Sequence, residues 1–114
     1  MKELGRIEVN GQQTPILLDL EIGAFKVVTP AGLAVLDFDR DGDTIEMLHT
    51  EVPPTYRNHG IGEALARVAL DYARDEHLLV RPTCPFVSAF IESHPEYRGL
   101  VDPAFNRRRS RSTH

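Results

Sequence analysis

The run Val52-Pro53-Pro54-Thr55-Tyr56-Arg57-Asn58-His59-Gly60-Ile61-Gly62 holds the residues whose types and spacing point most directly to chemistry. Two glycines at the mouth of a helix let a backbone approach a bulky anion. The free N–H groups of the first helical turn then point at that anion, and the helix dipole favours its negative charge. Arg57 either adds positive charge or is a plain surface arginine. Two common nucleotide loops are excluded. A dinucleotide fingerprint requires Gly or Ala where Leu65 stands and an acid about where Pro82 stands. A Walker loop requires Gly-Lys-Ser/Thr, which is absent. What remains is Arg57-x-x-Gly60-x-Gly62, a phosphate cradle or, alternatively, two glycines that only make a tight turn.

The elements that must position this loop follow from turn signals and periodicity. Asn10-Gly11, Thr29-Pro30-Ala31-Gly32 and Arg40-Asp41-Gly42-Asp43 mark turns. They delimit predicted strands at Arg6–Val9, Pro15–Leu20, Ala24–Val28, Leu33–Asp39 and Thr44–Val52, with Asp41-Gly42 a hairpin signal. In the fourth strand both faces carry apolar side chains, Leu33 and Val35 on one and Ala34, Leu36 and Phe38 on the other, which suits a central strand. After the glycines, Ile61, Leu65, Val68 and Tyr72 recur at helical spacing with Ala64, Ala69 and Ala73 beside them. Arg67, Asp71, Arg74 and Asp75 fall on the wet side of this helix, predicted to run from Ile61 to about Glu76. Leu78-Leu79-Val80 reads as a short buried strand stopped by Pro82. Pro85 to Ser93 reads as a second helix with an apolar stripe of Phe86, Val87, Phe90 and Ile91, ended by Pro95. Strand, helix and strand together predict a right-handed crossover joining two parallel strands. The expected fold is α+β: a mixed sheet with an antiparallel first half, a parallel strand pair, and helices on both faces.

Size and composition set bounds. A chain of 114 residues supports one modest core. The expected division is one domain over 1–103 and a flexible basic tail over 104–114. Apolar content of 41% and charged content of 26% are ordinary for a globular protein. No apolar run approaches the ~20 residues that cross a bilayer, and the N-terminus lacks the apolar centre of a signal peptide. The single Cys84 cannot form an internal disulfide. A cytoplasmic protein without membrane contacts is the expectation. The net charge of −4 hides an uneven distribution, because the tail carries Arg107, Arg108, Arg109 and Arg111 and no acid. That tail either touches nucleic acid or an acidic partner weakly or is simply solvated. The acidic remainder argues against nucleic acid as the main ligand and suits a cationic or amine substrate. Scattered histidines and one cysteine lack the spacing of metal ligands, so no metal is expected.

Arg57-Asn58-His59-Gly60-Ile61-Gly62 matches the Arg/Gln-x-x-Gly-x-Gly/Ala signature of the GNAT acetyltransferase superfamily. His49-Thr50-Glu51-Val52-Pro53, Ala69-Leu70-Asp71-Tyr72-Ala73, Cys84-Pro85-Phe86-Val87 and His94-Pro95-Glu96-Tyr97 resemble blocks of its small stand-alone members. The resemblance covers about Ala24 to Val101. Residues 1–23 lie outside it and are expected to be an N-terminal strand extension. It implies that backbone amides of Arg57, Asn58, His59, Gly60, Ile61 and Gly62 hold the pyrophosphate of acetyl-coenzyme A (acetyl-CoA). The glycines would then be required because a side chain would fill the space of phosphate oxygens. It also implies that the strand before the loop splays from its parallel neighbour, so that its backbone near Glu51 and Val52 pairs with the pantetheine arm.

The implied reaction is attack by a neutral amine on an acetyl thioester, which needs proximity, a base and an acid for the leaving thiolate. Cys84, just past the second parallel strand, is an acyl-accepting nucleophile, the acid, or a small buried hydrophobe. His49 is a candidate base with an intrinsic pKa near 6.5, or a strand-pinning residue, and Glu51 is a second candidate. Tyr97 either packs beside the pantetheine arm or closes the last helix with His94. His59 is expected to be exposed and His77 to end a helix. Two functions stand: an acetyl-CoA-dependent N-acetyltransferase acting on an amine acceptor such as a protein lysine or amino terminus, and a CoA-binding module with little catalysis. The identity of the acceptor and the oligomeric state are not written in these residues.

Overall fold

The computed structural model describes residues 1–105. The Arg107–Arg111 segment, expected to be a flexible extension, lies outside the described residues. Six strands form one sheet in chain order: β1 (Lys2–Val9), β2 (Gln12–Asp19), β3 (Ala24–Thr29), β4 (Gly32–Asp41), β5 (Thr44–Glu51) and β6 (Leu79–Pro82). The first five are antiparallel neighbours, and β5 and β6 run parallel. The turns fall where expected. Asn10 and Gly11 have φ of 53° and 77°, the positive values that a two-residue hairpin turn needs. Helix α1 (Ile61–Asp75) makes the crossover, and α2 (Pro85–Ser93) follows β6, with short 3₁₀ segments at Pro54–Tyr56 and Pro95–Leu100.

Helices α1 and α2 pack side by side over the buried core of the sheet. Tyr72 of α1 meets Phe25 edge-on at 5.6 Å between ring centroids, and Arg40 donates to the Tyr72 hydroxyl at 3.0 Å. Alongside, the Arg67 guanidinium of α1 lies 5.5 Å from the centre of the Phe90 ring of α2. Ile16, Leu18, Phe25, Val27, Ala34, Leu36, Phe38, Ile45, Met47 and Val80 are buried beneath them in one core. The opposite face is open. There Val28 is 55% and Leu33 46% exposed, so β4 is covered on one side only. β4 is nevertheless a central strand between β3 and β5, as its two-sided apolar pattern suggests, and none of the described helices covers its second face. Leu79 is exposed for the same reason, while Phe86 stands outside the buried stripe of α2.

The parallel pair diverges. Register holds from Thr44↔Leu79 to Met47↔Pro82 and then stops, although β5 continues to Glu51 against β4. The β4–β5 register slips between Asp37 and Phe38, which pair with His49 and Met47 and leave Leu48 as an extra residue. Such a bulge bends its strand and sharpens the local twist. Beyond it the β6-facing edge of β5 has no strand partner among the described residues. The sheet also curls: β1, four strands from β5, returns to α1, with Gly5 packed against Val68.

Candidate functional site: the loop before the long helix

The loop between β5 and α1 is a chain of locally determined steps. Two prolines open it, and a single helical turn closes on the Tyr56 N–H donating to the Pro53 carbonyl at 2.8 Å. Arg57 Nε folds back on the Val52 carbonyl at 3.2 Å. Asn58 takes φ of 66° and Gly60 of 84°, left-handed values at which Gly60 heads the helix. The first bond of α1 is Ala64 N–H to the Gly60 carbonyl at 3.0 Å. The amides of Ile61, Gly62 and Glu63 therefore precede the ladder, and no side chain caps them. They open on a groove of about 420 Å³ lined by His49, Thr50, Glu51, Val52, Tyr56, Arg57, Asn58, Gly60, Ile61, Gly62, Glu63 and Phe86. A larger groove, about 640 Å³ between Met1, Leu18, Asp19 and Tyr72, lies at the other end of α1 and holds none of these groups.

The two glycines serve different ends. A Cβ on Gly60 would meet nothing within 4 Å, so the space beside it is open and its φ is what demands glycine. A Cβ on Gly62 would lie 3.0 Å from Phe86 Cζ, so the neighbour that a larger residue there would displace is an aromatic ring of α2. Phe86 is 39% exposed and forms the wall of the groove opposite β5.

The other expected residues separate across β5. His49 and Glu51 are exposed on the open face, with Nε2 to Oε2 at 3.4 Å, opposite Asp37 and Val35. Thr50 alternates to the core side, and its Oγ1 lies 3.4 Å from Cys84 Sγ. Cys84 is 3% exposed, and its N–H donates to the Met47 carbonyl at 2.8 Å where the parallel ladder ends. His59 is exposed beside Tyr56. Tyr97 is not among the groove residues. Its buried hydroxyl donates to Asp71 at 2.8 Å and accepts from Arg67 at 3.3 Å, which ties the last turn to α1. Burial first, and then the Asp71 carboxylate, hold its pKa above the usual phenol value, so it stays a neutral donor. His94 stacks on Phe90 at 3.9 Å.

Sequence reading gave no role to Thr50, Glu63 or Tyr56, and it placed Phe86 in the core. Glu63 was legible as an acid in the first helical turn. Thr50 was legible by strand alternation once His49 and Glu51 were assigned to one face. No helix among the described residues is long and apolar enough to cross a membrane. Among the described residues no group of three or more metal-ligating side chains gathers.

A mixed sheet whose single parallel pair diverges beside an uncapped helix N-terminus is the architecture of an acetyltransferase domain, and residues 25–100, more than half the chain, match the family model described as GCN5-related N-acetyl-transferase. The chain belongs to that family. Among its relatives, it is 40% identical over 63 residues to Protein NATD1 of Bos taurus, covering 54% of this chain and 56% of that one. With Protein NATD1 of Danio rerio the identity is 37% over 67 residues, covering 56% and 61%. With that of Homo sapiens it is 38% over 63 residues, covering 54% and 56%. The chain thus spans little more than half the length of these relatives.

Proposed function

We propose that this protein transfers the acetyl group of acetyl-CoA to an amine, such as a protein lysine or amino terminus, in the cytoplasm. The observation that carries the reading is the meeting of three uncapped amides with a strand edge that has lost its partner. Ile61, Gly62 and Glu63 N–H groups suit a pyrophosphate, and the edge of β5 from Leu48 to Glu51 suits the amide-bearing pantetheine arm. The donor supplies an activated thioester. In this reading His49, oriented by Glu51 at 3.4 Å, takes the proton of the attacking amine on the open face. Thr50 lines the slot, with Cys84 buried behind it at 3.4 Å. The amine attacks the thioester directly: the C–N bond forms, the C–S bond breaks, and CoA leaves as its thiolate, which takes a proton from solvent. The open face, with no helix over it, leaves the acceptor site accessible to an exposed lysine or amino terminus.

Labelled acetyl-CoA, offered with mixed polyamine and peptide acceptors, tests the reading. Transfer is expected, with His49→Ala lowering kcat by at least ~10²-fold, the low end for loss of a general base. Cys84→Ala is expected to keep turnover within about threefold, because a thiol buried behind Thr50 makes no bond to the acyl group. Calorimetric silence with both CoA and acetyl-CoA would remove the reading. CoA binding without transfer to any acceptor would reduce it to a binding module.

A further inference from the structure

The tip of the N-terminal hairpin reaches the groove's loop. Asn10 Nδ2 donates to the Tyr56 hydroxyl at 2.7 Å across 46 residues of sequence. Tyr56 is buried, with one side of its ring on the groove and the other on a hollow lined by Val9, Asn10, Gly11 and Ile61. Among the described residues, every other hydrogen bond made by residues 53–60 stays inside the loop or joins it to the adjoining Val52 or Ala64. The loop is therefore fastened from outside at one polar point. The turn that presents Asn10 is itself rigid, because Asn10 and Gly11 both hold positive φ between paired strands. Neither β1 nor β2 falls within the span that matches the family model, so nothing in that match gives the hairpin a part in the site.

We propose that Asn10 is a positioning residue: through Tyr56 it holds the loop at residues 53–60 in the shape that presents the Ile61–Glu63 amides. The hairpin supplies a fixed anchor from the far edge of the sheet, and the curl of the sheet delivers it. The consequence for donor binding rests on the proposed function. The effect on the loop does not.

Asn10→Gly keeps the left-handed turn and removes the amide, and Tyr56→Phe removes the hydroxyl and keeps the ring. Amide hydrogen exchange over residues 54–63 of the free protein should quicken about fivefold in either variant, the weight of one neutral hydrogen bond. The double variant should show no more than either single one. Asn10→Asp should restore slow exchange, since a carboxylate accepts from the Tyr56 hydroxyl. For CoA, Asn10→Gly should raise Kd and the KM of acetyl-CoA about fivefold while kcat at saturation stays within about twofold, a split that general destabilisation does not produce. Unchanged exchange in Asn10→Gly, or effects that multiply in the double variant, would overturn the proposal. Should the unaltered protein give no heat with CoA, the proposed function fails and the exchange data alone decide the role of Asn10. Should Asn10→Gly fail to fold, Tyr56→Phe carries the same exchange test.

Discussion

Gly60 and Gly62 sit two positions apart and answer to different constraints. At Gly60 the space is open but φ is 84°, so an added methyl meets backbone strain and no neighbour. Gly60→Ala should cost about 1–2 kcal/mol, the penalty of a left-handed residue, read as a shift in urea midpoint at unchanged slope. Gly62 lies within α1, where alanine is worth up to about 1 kcal/mol over glycine, yet its methyl would press on the Phe86 ring at 3.0 Å. Because Phe86 is partly exposed, its ring can turn aside. Gly62→Ala should therefore leave the urea midpoint within about 1 kcal/mol of the starting protein while weakening CoA binding, since the displaced ring narrows the groove. Denaturant titration and calorimetry on the same pair of variants separate the two effects. A large stability loss in Gly62→Ala with normal binding would contradict this assignment of the ring.

At the scale of elements, one carboxylate gathers three donors at the β2–β3 connection, beside the backbone bond from Gly23 N–H to the Asp19 carbonyl at 3.0 Å. Asp19 accepts from Lys26 Nζ at 2.9 Å and from the Glu21 and Ile22 amides at 3.1 and 3.4 Å. The Lys26 hydrogen bond, more than any other contact, keeps the Asp19 carboxyl below its ordinary pKa, against the opposing effect of burial. The unfolded chain thus takes up this proton first as pH falls. The contribution is complete above the unfolded value of about 4 and is lost as pH drops through the lowered folded value. Thermal melts from about pH 6 down to about pH 2.5, which bracket the ordinary carboxyl range, should show the starting protein losing more stability than Asp19→Asn in that acid window. Parallel curves for the two proteins would remove Asp19 from the acid transition. The divergence of β5 from β6 is also an element-scale property. A bulge at Leu48 and the end of the ladder at Met47 create it together, and neither residue type announces a bulge.

For the molecule as a whole, the N-terminal hairpin is structural, although it lies outside the family match. Val9, Ile16 and Leu18 join the core, Gly5 packs on α1, and β2 covers the edge of β3. A chain beginning at Ala24 would expose buried Phe25 and leave β3 as a bare edge. It should lose its cooperative thermal transition by circular dichroism and aggregate. A truncated chain that melts as sharply as the full one would show the hairpin to be an accessory. The uncovered sheet face is the counterpart of this economy, because two helices are enough to bury one side only.

Much of the fold was legible before the structure because it is local. The Asn10-Gly11 turn, the glycine loop ahead of the long helix, the stripe of Ile61, Leu65, Val68 and Tyr72, and the crossover between parallel strands each depend on sterics and hydrogen bonds among neighbouring residues. The site was legible as a loop and not as a surrounding. Which face the helices cover, which side of β5 carries His49 and Glu51, why Gly62 is glycine, and how Asn10 finds Tyr56 depend on packing between distant segments. Those contacts are set by the curl of the sheet and by the burial of one shared core. Because burial rewards any apolar partner of suitable shape, it leaves no spacing in the chain from which the partner can be read.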